Sequence, residues 1–249
     1  MAPNMDPSRM ATKLMSWNVR AINNPAKRSK VFSHLRDQGV EIVYLQETHL
    51  LNRDHLKLCR GGFYQVYHSD FNSKGRGVAI LIHRNVQFVE TTTIKDKHGR
   101  YVIVVGKLFN MPVVLASIYA PNWDNVQFFK DLFSLLSNSD THNLILGGDL
   151  NCVLDSTLDR SSPTPSVLSK SAQCINSFCK VYGIFDPWRY VNPTSRQYSF
   201  YSPPHRTYTR IDYFLLDNKL TPIVTGIEYS QGWTGPKIWP GTLGWRGLL

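Results

Sequence analysis

No hydrophobic run in this chain approaches the roughly 20 residues needed to cross a bilayer, and the opening stretch Met1 to Arg9 is polar. Neither a membrane span nor a signal peptide is therefore expected. Cysteine is scarce: Cys59, Cys152, Cys174 and Cys179 are scattered, and the one close pair, Cys174 and Cys179, falls in a helical-looking segment without a matching His or Cys cluster. That argues against a zinc finger or a disulfide framework and for reduced thiols in a soluble intracellular protein. Acidic residues are few, 18 Asp+Glu against 28 Lys+Arg, for a formal charge of +10. Such a balance favours polyanionic partners, nucleic acid before an anionic membrane surface. No internal repeat or low-complexity tract divides the chain. The 42% apolar and 12% aromatic content of its 249 residues is ample for one large packed domain.

What is present centres on Leu144 to Leu154, reading Leu-Ile-Leu-Gly-Gly-Asp-Leu-Asn-Cys-Val-Leu. The short aliphatic run ending in turn residues reads as a strand buried on both faces. Gly147 and Gly148 lack Cβ where the strand ends, which leaves room for a phosphate near the backbone. In extended chain Asp149 and Asn151 share a face. A carboxylate beside an amide suits a site that activates water and donates to an anionic oxygen. A strand running into an Asx-rich turn is the bland alternative.

The rest of the chain supports an alternating α/β reading. Lys13 to Trp17 is a strand leading into Asn18-Val19-Arg20, and Pro25 opens a helix that Gly39 ends. Glu41 to Leu45 is a strand whose exit carries Gln46-Glu47-Thr48-His49. Strands follow at Phe63 to His68, Val78 to His83, Phe88 to Thr93, Tyr101 to Phe109 and Val113 to Tyr119. The tips Ser69 to Arg76 and Lys95 to Arg100 are basic and could straddle a nucleic-acid backbone. Helices are expected over Val126 to Leu136 and about Val167 to Val181, with strands at Gln197 to Ser202 and Thr207 to Leu216. In open α/β sheets ligands bind beyond the carboxyl ends of strands, and Asn18, Glu47 and Asp149 are all placed there.

Taken in order, Ser16-Trp17-Asn18, Gln46-Glu47-Thr48, Ser117-Ile118-Tyr119-Ala120-Pro121, Gly147-Gly148-Asp149-Leu150-Asn151 and Arg210-Ile211-Asp212-Tyr213 resemble the motifs of the exonuclease–endonuclease–phosphatase superfamily. Within it, Gln46-Glu47-Thr48-His49, the Arg76 to Leu81 stretch and Tyr198 to Ser202 are most similar to the endonuclease domain of non-LTR, LINE-type retrotransposon polyproteins. The resemblance covers roughly residues 12 to 229. It implies a four-layer α/β sandwich, two packed mixed β-sheets flanked by helices, with the site at one rim. It also implies a monomeric Mg²⁺-dependent nuclease, Mn²⁺ able to substitute, that nicks DNA for target-primed reverse transcription, works away from membranes, and sits in the nucleus when it acts on genomic DNA.

By the same resemblance Glu47 and Asn18 hold the metal, and Asp149 orients or deprotonates the attacking water. Asn151 donates to a phosphate oxygen and Tyr119 contacts the scissile phosphate. Asp212 orients a catalytic imidazole, while Ser199, Arg210, Arg20 and Arg76 contact nucleic acid. A core tyrosine with its hydroxyl at the surface is the plain alternative for Tyr119.

One departure matters. The family ends its last strand in Ser-Asp-His, whereas the final histidine here is His205, before Asp212. Residues 231–249 carry three tryptophans, two prolines and five glycines without strand or helix period. The sequence therefore divides into a disordered leader, residues 1–11, the nuclease-type domain, residues 12–230, and an unrelated irregular tail, residues 231–249. It leaves the last core strand missing and the catalysis crippled. A non-catalytic nucleic-acid-binding remnant, or a phosphoesterase of the same superfamily, are the alternatives.

Overall fold

The computed structural model describes residues 12–136, 141–162 and 167–229, together with the backbone of Gly241–Trp245. In chain order the strands are Thr12–Asn18 (β1), Ile42–Gln46 (β2), Phe63–Ser69 (β3), Val78–His83 (β4), Phe88–Lys95 (β5), Tyr101–Leu108 (β6) and Met111–Tyr119 (β7). Then come Asn143–Asp149 (β8), Ile184–Phe185 (β9), Phe200–Ser202 (β10), Thr207–Thr209 (β11), Asp212–Asp217 (β12), Val224–Tyr229 (β13) and Gly241–Trp245 (β14). Helices are Pro25–Asp37 (α1), Val126–Leu136 (α2), Lys170–Tyr182 (α3) and the short Pro187–Val191 (α4). None of the described helices is long and apolar enough to cross a membrane.

Two six-stranded sheets form, ordered β13-β14-β1-β2-β4-β3 and β5-β6-β7-β8-β12-β9, with β10 and β11 as a separate hairpin. Both mix parallel and antiparallel pairs: β1 with β2 and β7 with β8 are parallel, and the other pairings are antiparallel. Their inner faces meet in a core that includes Ile42, Tyr44, Ile80, Val104, Leu115, Ile145 and Phe214. Val31, Phe32 and Leu35 of α1 cover the outer face of the first sheet. Phe129, Leu132 and Phe133 of α2, with Ile175 and Phe178 of α3, cover that of the second. Helix, sheet, sheet and helix make the expected four layers.

Local chemistry explains the helix bounds. The Asn24 side chain accepts from the N–H groups of Ala26 and Lys27, and Pro25 follows at the position that needs no donor. Ser169 caps α3 by accepting from Ala172, and Gly183 ends it at φ 63°. The helix expected from about Val167 thus starts at Lys170.

Two expectations need correction. Thr207 to Leu216 is not one strand: it breaks at Arg210 and Ile211, whose N–H groups go to the Asp159 carbonyl and the Ser199 hydroxyl instead of a ladder. The last core strand is not missing either. Gly241–Trp245 lies antiparallel between β1 and β13, with Leu243 opposite both Leu14 and Ile227. Strand pairing belongs to the backbone, and the facing edges of β1 and β13 offer unpaired groups that a segment without side-chain alternation can satisfy. The expected leader, residues 1–11, residue 230 at the end of the expected domain, and residues 231–240 and 246–249 of the expected tail lie outside the described residues.

Candidate active site

Five strand ends converge on one rim. Because β1 and β2 run parallel, Asn18 and Glu47 leave the first sheet side by side, with Asn18 paired in register with Gln46. In the second sheet Tyr119 stands opposite Asp149 across the parallel β7 and β8. The antiparallel β12 begins at the same edge, setting Asp212 opposite Asp149 on its other side. A polar contact between the sheets holds the rims in alignment: Gln46, fully buried, donates across to Ser117 at 3.2 Å and, within its own sheet, to Ser16 at 3.3 Å.

Asn18 joins the two halves. Its Nδ2 donates to Glu47 Oε1 at 2.7 Å and to Asp149 Oδ2 at 3.0 Å. Those two carboxylates therefore face one small volume from different sheets. Asp149 also accepts from the Asn151 N–H at 3.0 Å through its other oxygen. Glu47 Oε2 lies 3.5 Å from His49 Nε2, and the Glu47 charge acts on the Tyr119 hydroxyl.

The electrostatics follow from burial and crowding. Burial pushes the Asp149 carboxyl above its usual range and Glu47 adds to the rise, while hydrogen bonds from Asn18 and Asn151 oppose it. Asp212 is raised well above its usual range, first by burial and then by Asp149 beside it, against the Ser199 hydroxyl bond and the Arg20 charge. Tyr119 is raised by burial and by the charges of Glu47 and Asp149. Asp149 and Asp212, buried side by side with the Glu47 charge close to both, disfavour their own ionisation, as a site waiting for positive charge does. The backbone is strained here as well, with φ near 44° at Arg20, 53° at Glu47, 52° at His49, 60° at Arg76 and 50° at Asn151.

A model of the Endonuclease/Exonuclease/phosphatase family matches residues 15–240. The chain belongs to that family. Over 216 residues, 85% of this chain, it is 24% identical to the transposon TX1 uncharacterized 149 kDa protein of Xenopus laevis, covering 16% of that protein. It is 24% identical over 142 residues, 56% of this chain, to the RNA-directed DNA polymerase from mobile element jockey of Drosophila funebris, covering 15% of it. The chain thus spans about one sixth of the length of these curated relatives. Among solved structures, the AP endonuclease of Leishmania major superposes with a TM-score of 0.80 at 18% identity, covering 98% of this chain and 90% of that one. The likeness to retrotransposon proteins expected from the motifs is present, and nucleases of this family generally depend on a divalent metal.

The site residues expected from that family fall into two groups. Asn18, Glu47, Tyr119, Asp149, Asn151 and Asp212 come together at the rim, and the Arg20 charge acts on both Asp149 and Asp212. Arg76 stands on the neighbouring loop, its guanidinium 4.4 Å from the Phe71 ring centroid. Ser199 and Arg210 do not reach a nucleic-acid surface. Ser199 is fully buried and accepts from the N–H groups of Ile211 and Asp212. Arg210, 1% exposed, gives Nε and Nη2 to Asp159 at 2.8 and 3.0 Å and Nη1 to Asp186 at 2.6 Å. Their expected contact role is corrected to that of a buried brace beneath Asp212. A desolvated guanidinium needs such paired partners, and the sequence motif shows the arginine without showing its burial.

One further reading changes. Gly147 and Gly148 make room for protein rather than phosphate. A Cβ at Gly148 would stand 2.0 Å from the Ile118 carbonyl oxygen, and one at Gly147 2.7 Å from the Phe214 ring. Asn18 turns its amide nitrogen to the carboxylates and its Oδ1 to the Arg20 N–H at 3.1 Å. The nitrogen end is the one that can donate to two carboxylates.

Arg100 was legible only as part of a basic hairpin tip. It is 8% exposed, donates to the Ala120 carbonyl at 3.0 Å, and lies 5.3 Å from the Tyr119 ring centroid and 5.5 Å from that of Trp123. It braces Tyr119 from behind. Beside Asn151 opens a cleft of about 460 Å³ lined by Asn122, Trp123, Arg160, Ser202 and His205 among others.

Proposed function

We propose that this chain is the endonuclease domain of a LINE-type retrotransposon, cleaving one DNA strand with Mg²⁺ to prime reverse transcription. The observation that carries this reading is the Asn18 bridge, which binds Glu47 and Asp149 to one amide nitrogen across the two sheets. The retrotransposon assignment rests on the TX1 and jockey relatives.

The donor set fits a hard cation. Glu47 and Asp149 offer oxygen ligands, and three buried or half-buried carboxylates, Glu47, Asp149 and Asp212, share one rim with their charge incompletely offset. Glu47 would hold the ion, with Asn18 turning its carbonyl toward it. Bound there, a divalent ion supplies charge to offset that developing on the phosphate and leaving oxygen. Asp149 Oδ1, fixed by the Asn151 N–H, is the acceptor placed to orient a water or take its proton. The Asn151 side chain spends one N–H on the Ala120 carbonyl at 2.8 Å and keeps the other for a phosphate oxygen. Tyr119 bounds the pocket with a hydroxyl that burial keeps protonated and able to donate. DNA would approach over Arg20 and Arg76. Exposed Trp123, Tyr201 and Tyr208 offer ring faces near the cleft for unstacked bases.

Turnover should be slow. Asp212 has no histidine after it in the chain, and an acid–base imidazole is worth about 10²–10⁴-fold in rate. Supercoiled plasmid incubated with Mg²⁺ or Mn²⁺ tests the reading. Weak nicking that Asp149→Ala and Glu47→Ala each abolish supports it; turnover at the level of complete family nucleases would refute the loss. The second reading, a nucleic-acid-binding remnant, is favoured by the same basic rim and predicts a salt-sensitive gel shift without any cleavage.

A further inference from the structure

Away from the rim, the segment after Glu47 folds as a 3-10 helix, Asn52–Leu58, over the outer edge strand β3. It brings His55 against His68. Their rings stack with centroids 3.8 Å apart and planes 6° from parallel. Asp70, at the exit of β3, faces the same pair, its Oδ1 3.7 Å from His68 Nδ1. One ligand atom from each of the three lies within 4.8 Å of the others.

The hydrogen bonding around this cluster is incomplete. His55 is 1% exposed, its Nδ1 bonds the Leu51 carbonyl at 3.0 Å, and its Nε2 has no partner. A carbonyl accepts only from N–H, so the proton is on Nδ1 and Nε2 carries a bare lone pair. His68 Nδ1 is likewise buried without a partner. Leaving two such nitrogens unpaired is costly in a protein interior. Burial also holds both imidazoles neutral, each lowered to about 4, with the Lys95 charge adding to the effect and Asp54 and Asp70 opposing it.

We propose that His55, His68 and Asp70 form a second metal site, distinct from the carboxylate rim and selective for a borderline cation such as Zn²⁺. Two imidazole nitrogens and one carboxylate make a donor set for Zn²⁺ rather than Mg²⁺. The His55 Nδ1–H to carbonyl bond is the kind of support that fixes a ligating tautomer. Tetrahedral ligation at about 2.0–2.2 Å puts ligand atoms roughly 3.3 Å apart, so the three side chains close in by about 1 Å or more, and the stacked rings turn apart until both in-plane lone pairs meet the ion. Asp70, with 30% of its side chain exposed, is the point of entry.

The site ties two segments that leave the active rim. His55 follows Glu47 and His49, while Asp70 opens the loop that carries Arg76. The intervening Ser69 hydroxyl donates to the Asp96 carbonyl of the neighbouring β5–β6 loop. A bound ion would therefore steady the basic loops flanking the DNA approach.

Titration of the chelator-stripped full chain with Zn²⁺, by calorimetry and thermal melting, tests the proposal. The chain carrying Glu47→Gln should bind one equivalent and melt higher. Asp70→Asn and His68→Asn should each weaken binding about tenfold or more. With Co²⁺ in place of Zn²⁺, the visible absorption of a low-coordinate site should appear and be lost in the His68→Asn chain. Zinc binding that survives both substitutions, disappears with Glu47→Gln alone, or fails at micromolar metal overturns the proposal. Asp70 is partly exposed, so Asp70→Asn decides the outcome should His68→Asn fail to fold.

Discussion

Asp212 faces Asp149 in register across β12 and β8, and neither carboxylate reaches bulk water freely, each being 6% exposed. Burial and mutual repulsion raise Asp212 well above its unfolded value. A raised carboxyl leaves the folded state at full strength only at pH below the unfolded value near 3.8, and folding weakens as pH rises and the charge forms. Asp212→Asn should therefore stabilise the metal-free chain at pH 7 by about 1 kcal/mol, a few degrees in melting temperature, with the gain vanishing toward pH 3. Calorimetry at the two pH values checks this; equal effects at both would mean that repulsion is not the cause. At this scale Glu47 and Asp149 were legible because each directly follows an apolar strand. Arg210 and Ser199 were not, because only packing shows that their polar atoms turn inward onto Asp159, Asp186 and the backbone of β12.

Among the elements, β8 bears the tightest steric demand. Ile118 of β7 runs so close that Gly148 cannot accept a Cβ, whereas Gly226 of β13 has no atom within 4 Å of one. Gly148→Ala should cost about 1–3 kcal/mol by overpacking and displace Tyr119 and Asp149 together. Gly226→Ala should change stability by no more than about 0.5 kcal/mol. Denaturant unfolding of both variants measures the contrast, and equal losses would contradict the close approach. The glycine pair was conspicuous in the sequence, but its reason was not: a missing side chain looks the same whether the space belongs to a ligand or to a neighbouring strand. Strand β14 shows the same limit. Its residues lack a period of two, yet its backbone completes the ladder between β1 and β13.

For the whole molecule, the +10 charge sets the behaviour toward polyanions. Counterion release makes affinity for duplex DNA fall steeply with salt, and each phosphate contact adds about one to the slope of log K against log salt. Arg20→Ala and Arg76→Ala should each lower that slope by about one, while Lys180→Ala on α3, behind the second sheet, should leave it unchanged within error. Fluorescence anisotropy across a salt series distinguishes them. Slopes that fall equally in all three variants would show that net charge alone, rather than the rim, governs binding.

The sequence by itself determined the alternation of strands and helices, the order of most elements and the residues at strand exits, because apolar runs and turn residues act locally; the layered plan followed from the resemblance of its motifs to a family. Only the tertiary structure decided which of those exits share a site, which cations are buried braces and which glycines answer to a neighbouring strand. The reason is geometric. Asn18 and Asp149 lie 131 residues apart in the chain and meet at 3.0 Å only because two sheets pack face to face with their rims in line.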